Sequence, residues 1–225
     1  MGGKIKKIGL FGGTFNPIHN GHLRVAEEVS RFFQLDKILF IPSYLPPHKS
    51  TRDIASAADR LKMVELALQP FSQFEASSLE VERPETSYSI ITLEKVKKIY
   101  SGAEIFFIVG IDAFLEIKTW REYERILSSC SFIVVSRPGY QLEQAKKVLA
   151  PDWEEKMVIV GPDFKLKEEI GKESKIYLFP MNSLDISASE IRRRRQRGES
   201  ISGLVPLAVE KYILERKLYS NGEGK

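Results

Sequence analysis

Short apolar runs alternate along the chain with stretches whose apolar residues recur at helical spacing. Ile5–Phe11 reads as a buried strand. Leu23, Ala26, Val29 and Phe33 then fall on one face of a helix, with Asn20 in the position of an N-cap. Lys37–Ile41 is a second strand, stopped by Pro42. A long loop follows, from Pro42 to Ala55. Ser56 with Asp59 is a capping signature that opens a helix from Ala57 to Leu68. Phe74–Glu82 has room for one or two short strands. Thr86-Ser87-Tyr88 leads into a helix with Ile90, Leu93, Val96 and Ile99 on one face. Glu104–Val109 is a strongly apolar strand ending at Gly110-Ile111-Asp112. A helical region holding Phe114, Leu115, Trp120 and Leu127 comes next, then a buried strand at Ser131–Val135. Gln141 to Lys172 is irregular and reads as a lobe or excursion. Lys175–Phe179 is a late strand, Ser187 to Arg197 a basic helix and Val205 to Arg216 an amphipathic one. The tail after Ser220 lacks any such pattern.

Strands spaced by helices predict an α/β fold: a Rossmann-like, doubly wound parallel sheet with helices on both faces. With 225 residues, one domain spanning 1–220 is expected, with a C-terminal helical part at 187–218. Hydrophobic residues make up 43% and charged residues 28%, the ordinary balance of a globular chain. The net charge of +4 suits a basic pocket for an anionic substrate as well as it suits a nucleic-acid surface. No apolar stretch approaches the roughly 18 to 20 residues that span a bilayer, and no secretory leader is expected. Cys130 is the sole cysteine, so no internal disulfide or thiolate zinc site can form, and a cytoplasmic setting is expected. Cys130 itself reads as a buried small apolar residue. A homo-oligomer is left open by the sequence.

The chemistry concentrates in Gly12-Gly13-Thr14-Phe15-Asn16-Pro17-Ile18-His19-Asn20-Gly21-His22, between the first strand and the first helix. It is neither a P-loop nor a three-glycine dinucleotide fingerprint. Two adjacent glycines after a strand allow an anion close to the backbone, although an ordinary turn would look the same. His19 and His22 share the face of the helix's first turn, where the leading N–H groups and the positive dipole end also point. Imidazoles there can donate to phosphate oxygens. A zinc site is disfavoured because no Cys, Asp or Glu lies nearby at ligand spacing. His48-Lys49, stiffened by Pro46-Pro47, offers cations on the long loop, or else a solvated loop tip.

A second anion cradle is expected at Ile186-Ser187-Ala188-Ser189-Glu190-Ile191-Arg192, with Ser187 as N-cap and the hydroxyls and Arg192 turned toward the ligand. Four consecutive arginines spread around a helix, so Arg192 is expected inward and Arg193, Arg194 and Arg195 solvated. Asp112, just past a strand, suits either ribose hydroxyls or a helix N-cap. Trp120 suits either a core anchor or a stacking platform.

These residues resemble the two signatures of His-x-Gly-His nucleotidyltransferases. Pro46-Pro47-His48-Lys49, Thr86-Ser87-Tyr88, Gly110-Ile111-Asp112 and Trp120 fall in the order of the bacterial nicotinate-nucleotide adenylyltransferases within that class. The likeness covers roughly residues 5 to 215. It implies adenylyl transfer from ATP to nicotinate mononucleotide, giving deamido-NAD and pyrophosphate, with Mg²⁺ held by the ATP phosphates rather than by protein side chains. It implies catalytic roles for His19, His22, Lys49 and Arg192. It implies ATP contacts from Gly12, Gly13, Thr14, Phe15, His19, His22, Asp112, Ser187, Ser189 and Arg192. It implies a nicotinate mononucleotide site at Asn16, His48, Lys49, Thr86, Tyr88 and Trp120. Two positions depart from the family: Asn16 stands where Asp is commoner, and Ala188 replaces a usual Ser. Rival acceptors are nicotinamide mononucleotide or another phosphomonoester. No nucleic acid and no membrane partner are expected, although the basic helix keeps a nucleic-acid-binding regulator as a distant rival.

Overall fold

The structure is a computed structural model that describes residues 6–45, 54–83, 87–161, 164, 173–181 and 184–220. His48, Lys49 and Thr86 lie outside the described residues.

The strands are β1 (Lys7–Gly13), β2 (Lys37–Pro42), β3 (Phe74–Ala76), β4 (Glu104–Gly110), β5 (Ser131–Val135), β6 (Met157–Ile159) and β7 (Ile176–Phe179). They form one Rossmann-like sheet in the order β3-β2-β1-β4-β5-β7-β6. The pairings β1·β4, β4·β5, β5·β7 and β7·β6 are all parallel. The chain steps outward from β1 to β2 to β3, then returns to β4 beside β1 and steps the other way. Right-handed crossovers moving in opposite directions put their helices on opposite faces of a sheet. The switch from one direction to the other falls between β1 and β4, where open α/β sheets bind ligands at the carboxyl ends of their strands.

The helices are α1 (Asn20–Phe33), α2 (Ala57–Leu68), α3 (Ser89–Ile99), α4 (Ile111–Leu115), α5 (Tyr123–Ser129), α6 (Pro151–Glu154), α7 (Ala188–Gln196) and α8 (Leu207–Glu215). Central strands bury nearly every residue, as strands covered on both faces must: Ile38 to Ile41 in β2, Ile105 to Val109 in β4, Phe132 to Val135 in β5. Chain contacts define two compact units. Unit 1 holds residues 1–12, 27–39 and 88–183; unit 2 holds residues 13–26, 40–87 and 184–225. In unit 1 the end of α1 packs on the sheet through Phe33, whose ring lies 5.3 Å from Tyr177 and 5.6 Å from Phe179.

Several local expectations change. Asn20 does not cap α1; it is the first helical residue. Its side chain donates to the Gly203 carbonyl at 2.8 Å and its backbone N–H to Leu204 at 2.9 Å, so it ties the helix start to a distant turn. Ile99 is 60% exposed rather than on the buried face of α3, while Thr92 is buried. Three steps of three residues drift half a turn around a helix, so Ile99 opposes Ile90. Asp112 is not a cap, since Gly110 holds that position in α4. The region after it breaks into α4, a 3-10 turn at Ile117–Thr119 and α5. Within 141–172 the described residues hold a 3-10 turn at Leu142–Lys147, α6 and β6, an edge strand too short to show a period. Cys130 is buried as expected, and burial pushes its thiol up to about 12, far from a reactive thiolate.

Candidate active site

In unit 2 the end of β1 feeds a tight loop and then α1. His19 is 4% exposed, and its ring stacks on that of His22 with centroids 3.7 Å apart. The His19 backbone N–H donates to His22 Nδ1 at 3.2 Å. That bond uses Nδ1 of His22 as an acceptor, and an imidazole accepting there carries its donor on the other ring nitrogen when neutral. Phe15 props the pair from the side: its ring meets His22 edge-on at 5.0 Å and Phe40 at 5.8 Å. The Phe15 side chain is buried, so what it can offer a nucleotide is backbone. Gly21 is required by close approach. A Cβ there would lie 3.0 Å from His19 Nδ1 and 3.1 Å from its Cε1.

The second cradle joins the first. Ser187 caps α7, accepting the Glu190 N–H at 3.2 Å. Arg192 turns inward, with Nη1 donating to the Asn16 carbonyl at 2.9 Å and Nη2 to Ser189 Oγ at 3.3 Å. Arg193 and Arg194 pair with Glu190 at 2.9 and 3.3 Å. Arg195 departs from the solvated expectation: it is only half-exposed, with its Nε buried. The helix N-terminus, two hydroxyls, a guanidinium and two imidazoles therefore gather on one side of this unit. That donor set fits an anion. Among the described residues no group of three His, Cys, Asp or Glu is placed to hold a metal ion.

Asn16 acts as a brace. Its Oδ1 accepts from the Ala55 N–H at 3.0 Å and from the Tyr219 hydroxyl at 2.8 Å. Arg60 fastens the same region from below. It is 1% exposed and donates to the carbonyls of Thr14 at 2.8 Å, Tyr44 at 2.9 Å and Ala55 at 3.0 Å. Burial lowers the Arg60 pKa, with Tyr219 acting the other way. Burial also raises the Tyr219 hydroxyl, against the pull of Arg192 and Arg60.

In unit 1, Gly12 is the last residue but one of β1, and Gly110 ends its parallel neighbour β4. Asp112 sits in the first turn of α4 and pairs with Arg137 at 3.2 Å, both side chains half-exposed. A Cβ on Gly110 would lie 2.3 Å from Asp112 Oδ1 and 2.6 Å from Arg137 Nε, so only glycine leaves that pair its place. Trp120 is anchored on the core side. Its ring meets Phe107 edge-on at 5.6 Å yet remains partly exposed. Tyr88, half-exposed, precedes α3 and carries the Arg121 guanidinium over its ring at 5.0 Å.

Residues 10–194 match the cytidylyltransferase-like family. A relative from Desulfatibacillum aliphaticivorans, named a probable nicotinate-nucleotide adenylyltransferase, is 42% identical over 220 residues, covering 95% of this chain and 99% of its own. One of the same name from Pelobacter propionicus is 44% identical over 214 residues, covering 95% of this chain and 98% of its own. The chain belongs to the nicotinate-nucleotide adenylyltransferase family. The fold agrees. Nicotinic acid mononucleotide adenylyltransferase of Plasmodium falciparum superposes with a TM-score of 0.67 in its complex with NaAD and 0.66 in its complex with APC. Identity is 21% and 20%, over 95% of this chain and 97% of that one.

For this member of the family, sequence reasoning located both signatures but missed what holds them. Arg60 reads as one more surface cation in a charged helix. The available signal was its spacing: Arg60, Val64 and Ala67 share the buried face of α2. Tyr219 lies beyond the last periodic segment and gave no signal. Arg137 gave no signal either, since nothing local pairs it with Asp112, 25 positions away.

Proposed function

We propose that the chain transfers the adenylyl group of ATP to nicotinate mononucleotide, releasing pyrophosphate and forming deamido-NAD. The observation that carries this reading is the bond from Arg192 to the Asn16 carbonyl, which makes one cradle of two separate anion-binding helix starts. A single triphosphate is the ligand such a cradle suits. The nicotinate branch is supported by the family and by the aromatic residues Tyr88 and Trp120.

An oxygen of the mononucleotide 5′-phosphate attacks the α-phosphorus of ATP. The bond from that phosphorus to the bridging β-phosphate oxygen breaks, and its electron pair leaves with pyrophosphate. The nucleophile is already anionic at neutral pH, so the protein needs no general base. Its work is alignment and stabilisation of charge. We assign His22 Nε2, with His19 behind it, to the α-phosphate oxygens. Arg192, Ser187, Ser189 and the N–H groups of α7 take the departing pyrophosphate. Gly12, Gly13, Thr14 and Phe15 offer backbone at the end of β1. Asp112, held by Arg137, accepts from the adenosine ribose. Lys49 and His48 supply cations from the long loop. Thr86, Tyr88 and Trp120 frame the pyridine ring, and Asn16 braces the loop beneath the acceptor. Mg²⁺ would arrive with ATP, bound to its phosphate oxygens, and would neutralise part of the triphosphate charge. We place the reaction in the cytoplasm.

The test is pyrophosphate release from MgATP with nicotinate mononucleotide and, separately, its amide. Release with the acid is expected to dominate. No release with either substrate overturns the reading. His22→Ala should lower kcat by roughly 10²-fold, the usual cost of one transition-state donor; unchanged turnover would remove His22 from the mechanism.

A further inference from the structure

Unit 1 holds a cation that the mechanism above does not use. Arg121 follows Trp120 directly, and its guanidinium carbon lies 5.0 Å from the centroid of the Tyr88 ring. Its acidic neighbour is already engaged: Glu122 accepts from Arg125 Nη1 at 2.8 Å and lies 3.7 Å from Arg121 Nε. Arg125 in turn bonds Glu94. The chain Glu94–Arg125–Glu122–Arg121 thus ends in the guanidinium least neutralised by its neighbours. A planar cation laid over an aromatic ring is oriented by it yet keeps its N–H fork available.

We infer that Arg121 reads the ring carboxylate of the nicotinate moiety and sets the preference for acid over amide. The inference rests on the proposed function, in which Tyr88 and Trp120 frame the pyridine ring. The acid and amide forms differ there in one group. A carboxylate is anionic and accepts two parallel bonds from a guanidinium fork. A carboxamide is neutral and turns an NH₂ donor toward those same donors, which leaves one of them unpaired. Arg121 is also more than half-exposed, so its replacement does not disturb the core.

The test uses the full chain and steady-state pyrophosphate release with both mononucleotides at saturating MgATP. Arg121→Gln should lower the ratio of kcat/KM for acid over amide by roughly tenfold, about 1.4 kcal/mol, chiefly through KM for the acid. Arg121→Lys should restore part of the ratio, since it keeps the charge and loses the fork. Equal losses on both substrates would mark Arg121 as structural and overturn the inference. So would an unchanged ratio in a fully active variant, which leaves the proposed function standing. An unsubstituted chain that is inactive with both substrates, or prefers the amide, overturns the inference together with the nicotinate reading it rests on.

Discussion

His19 and Gly21 show how little freedom the site's residues have. Glycine inside a helix costs about 1 kcal/mol relative to alanine. Gly21 is kept because a Cβ would press on the His19 ring at 3.0 Å. Gly21→Ala is therefore expected to leave Tm unchanged or higher while lowering kcat by roughly 10- to 100-fold, as a small displacement of a catalytic group does. Thermal melts and turnover measured on the same preparation check it; a parallel loss of both would point to misfolding instead. Glu104 is a different case, far along β4 from Gly110. Burial raises its carboxyl from 4.5 to about 7, with the facing Lys7 pulling the other way; Tyr177 is raised by its own burial first and then by Glu104. Between those two values the unfolded chain has lost the proton that the folded chain still holds. Stability therefore falls as pH rises from about 4.5 to about 7 and levels off above. Glu104→Gln removes that penalty. Because the group is only half-buried, the gain is discounted to about 1 kcal/mol at pH 8, vanishing near pH 4. Melts of both proteins across that range would show the difference opening with pH, and a constant offset would contradict it.

At the scale of elements, α2 and Tyr219 hold the loop that follows β1. Arg60 lies on the buried face of α2 and satisfies three carbonyls from three segments. A buried carbonyl left without its donor costs about 1–3 kcal/mol, and a charged donor makes the stronger bond. Arg60→Met should destabilise the fold by about 3 kcal/mol, lowering Tm by roughly 6–12 °C. Tyr219 follows α8 and adds one bond to Asn16 Oδ1, an oxygen that also accepts from Ala55. Tyr219→Phe should cost only about 1 kcal/mol. Denaturant unfolding of the two variants would rank them, and equal costs would mean that Arg60 is not the principal staple. Spacing could show that Arg60 is buried, but not what it or Tyr219 binds. Helix α2 itself was legible, because Ser56 and Asp59 announce its start and Ser56 Oγ does accept the Asp59 N–H. What its arginine binds depends on Thr14 and Tyr44, each 16 or more positions away.

For the whole molecule, the sheet was legible because its strands are buried on both faces and so read as unbroken apolar runs. The two signatures were legible because glycine, histidine and a capping serine are demanded by local geometry. The irregular stretch from Gln141 to Lys172 was not, because a three-residue edge strand such as β6 carries too few positions to set a period. The same distinction bears on charge. The run Arg192 to Arg195 keeps a nucleic-acid binder as a distant rival in the sequence. In the fold Arg192 turns inward to Asn16 and Ser189, Arg193 and Arg194 share Glu190, and the Arg195 Nε is buried. A helix that neutralises or buries its own cations has few left to displace counterions from a phosphate backbone. Binding to duplex DNA or RNA followed by fluorescence anisotropy should therefore be weak at 50 mM salt and absent by about 200 mM, without the steep log-log slope of a protein that makes six to ten phosphate contacts. A slope of that size would show that α7 presents its arginines outward in solution. It would also count against the role proposed for Arg192 at the pyrophosphate, which needs that guanidinium turned inward.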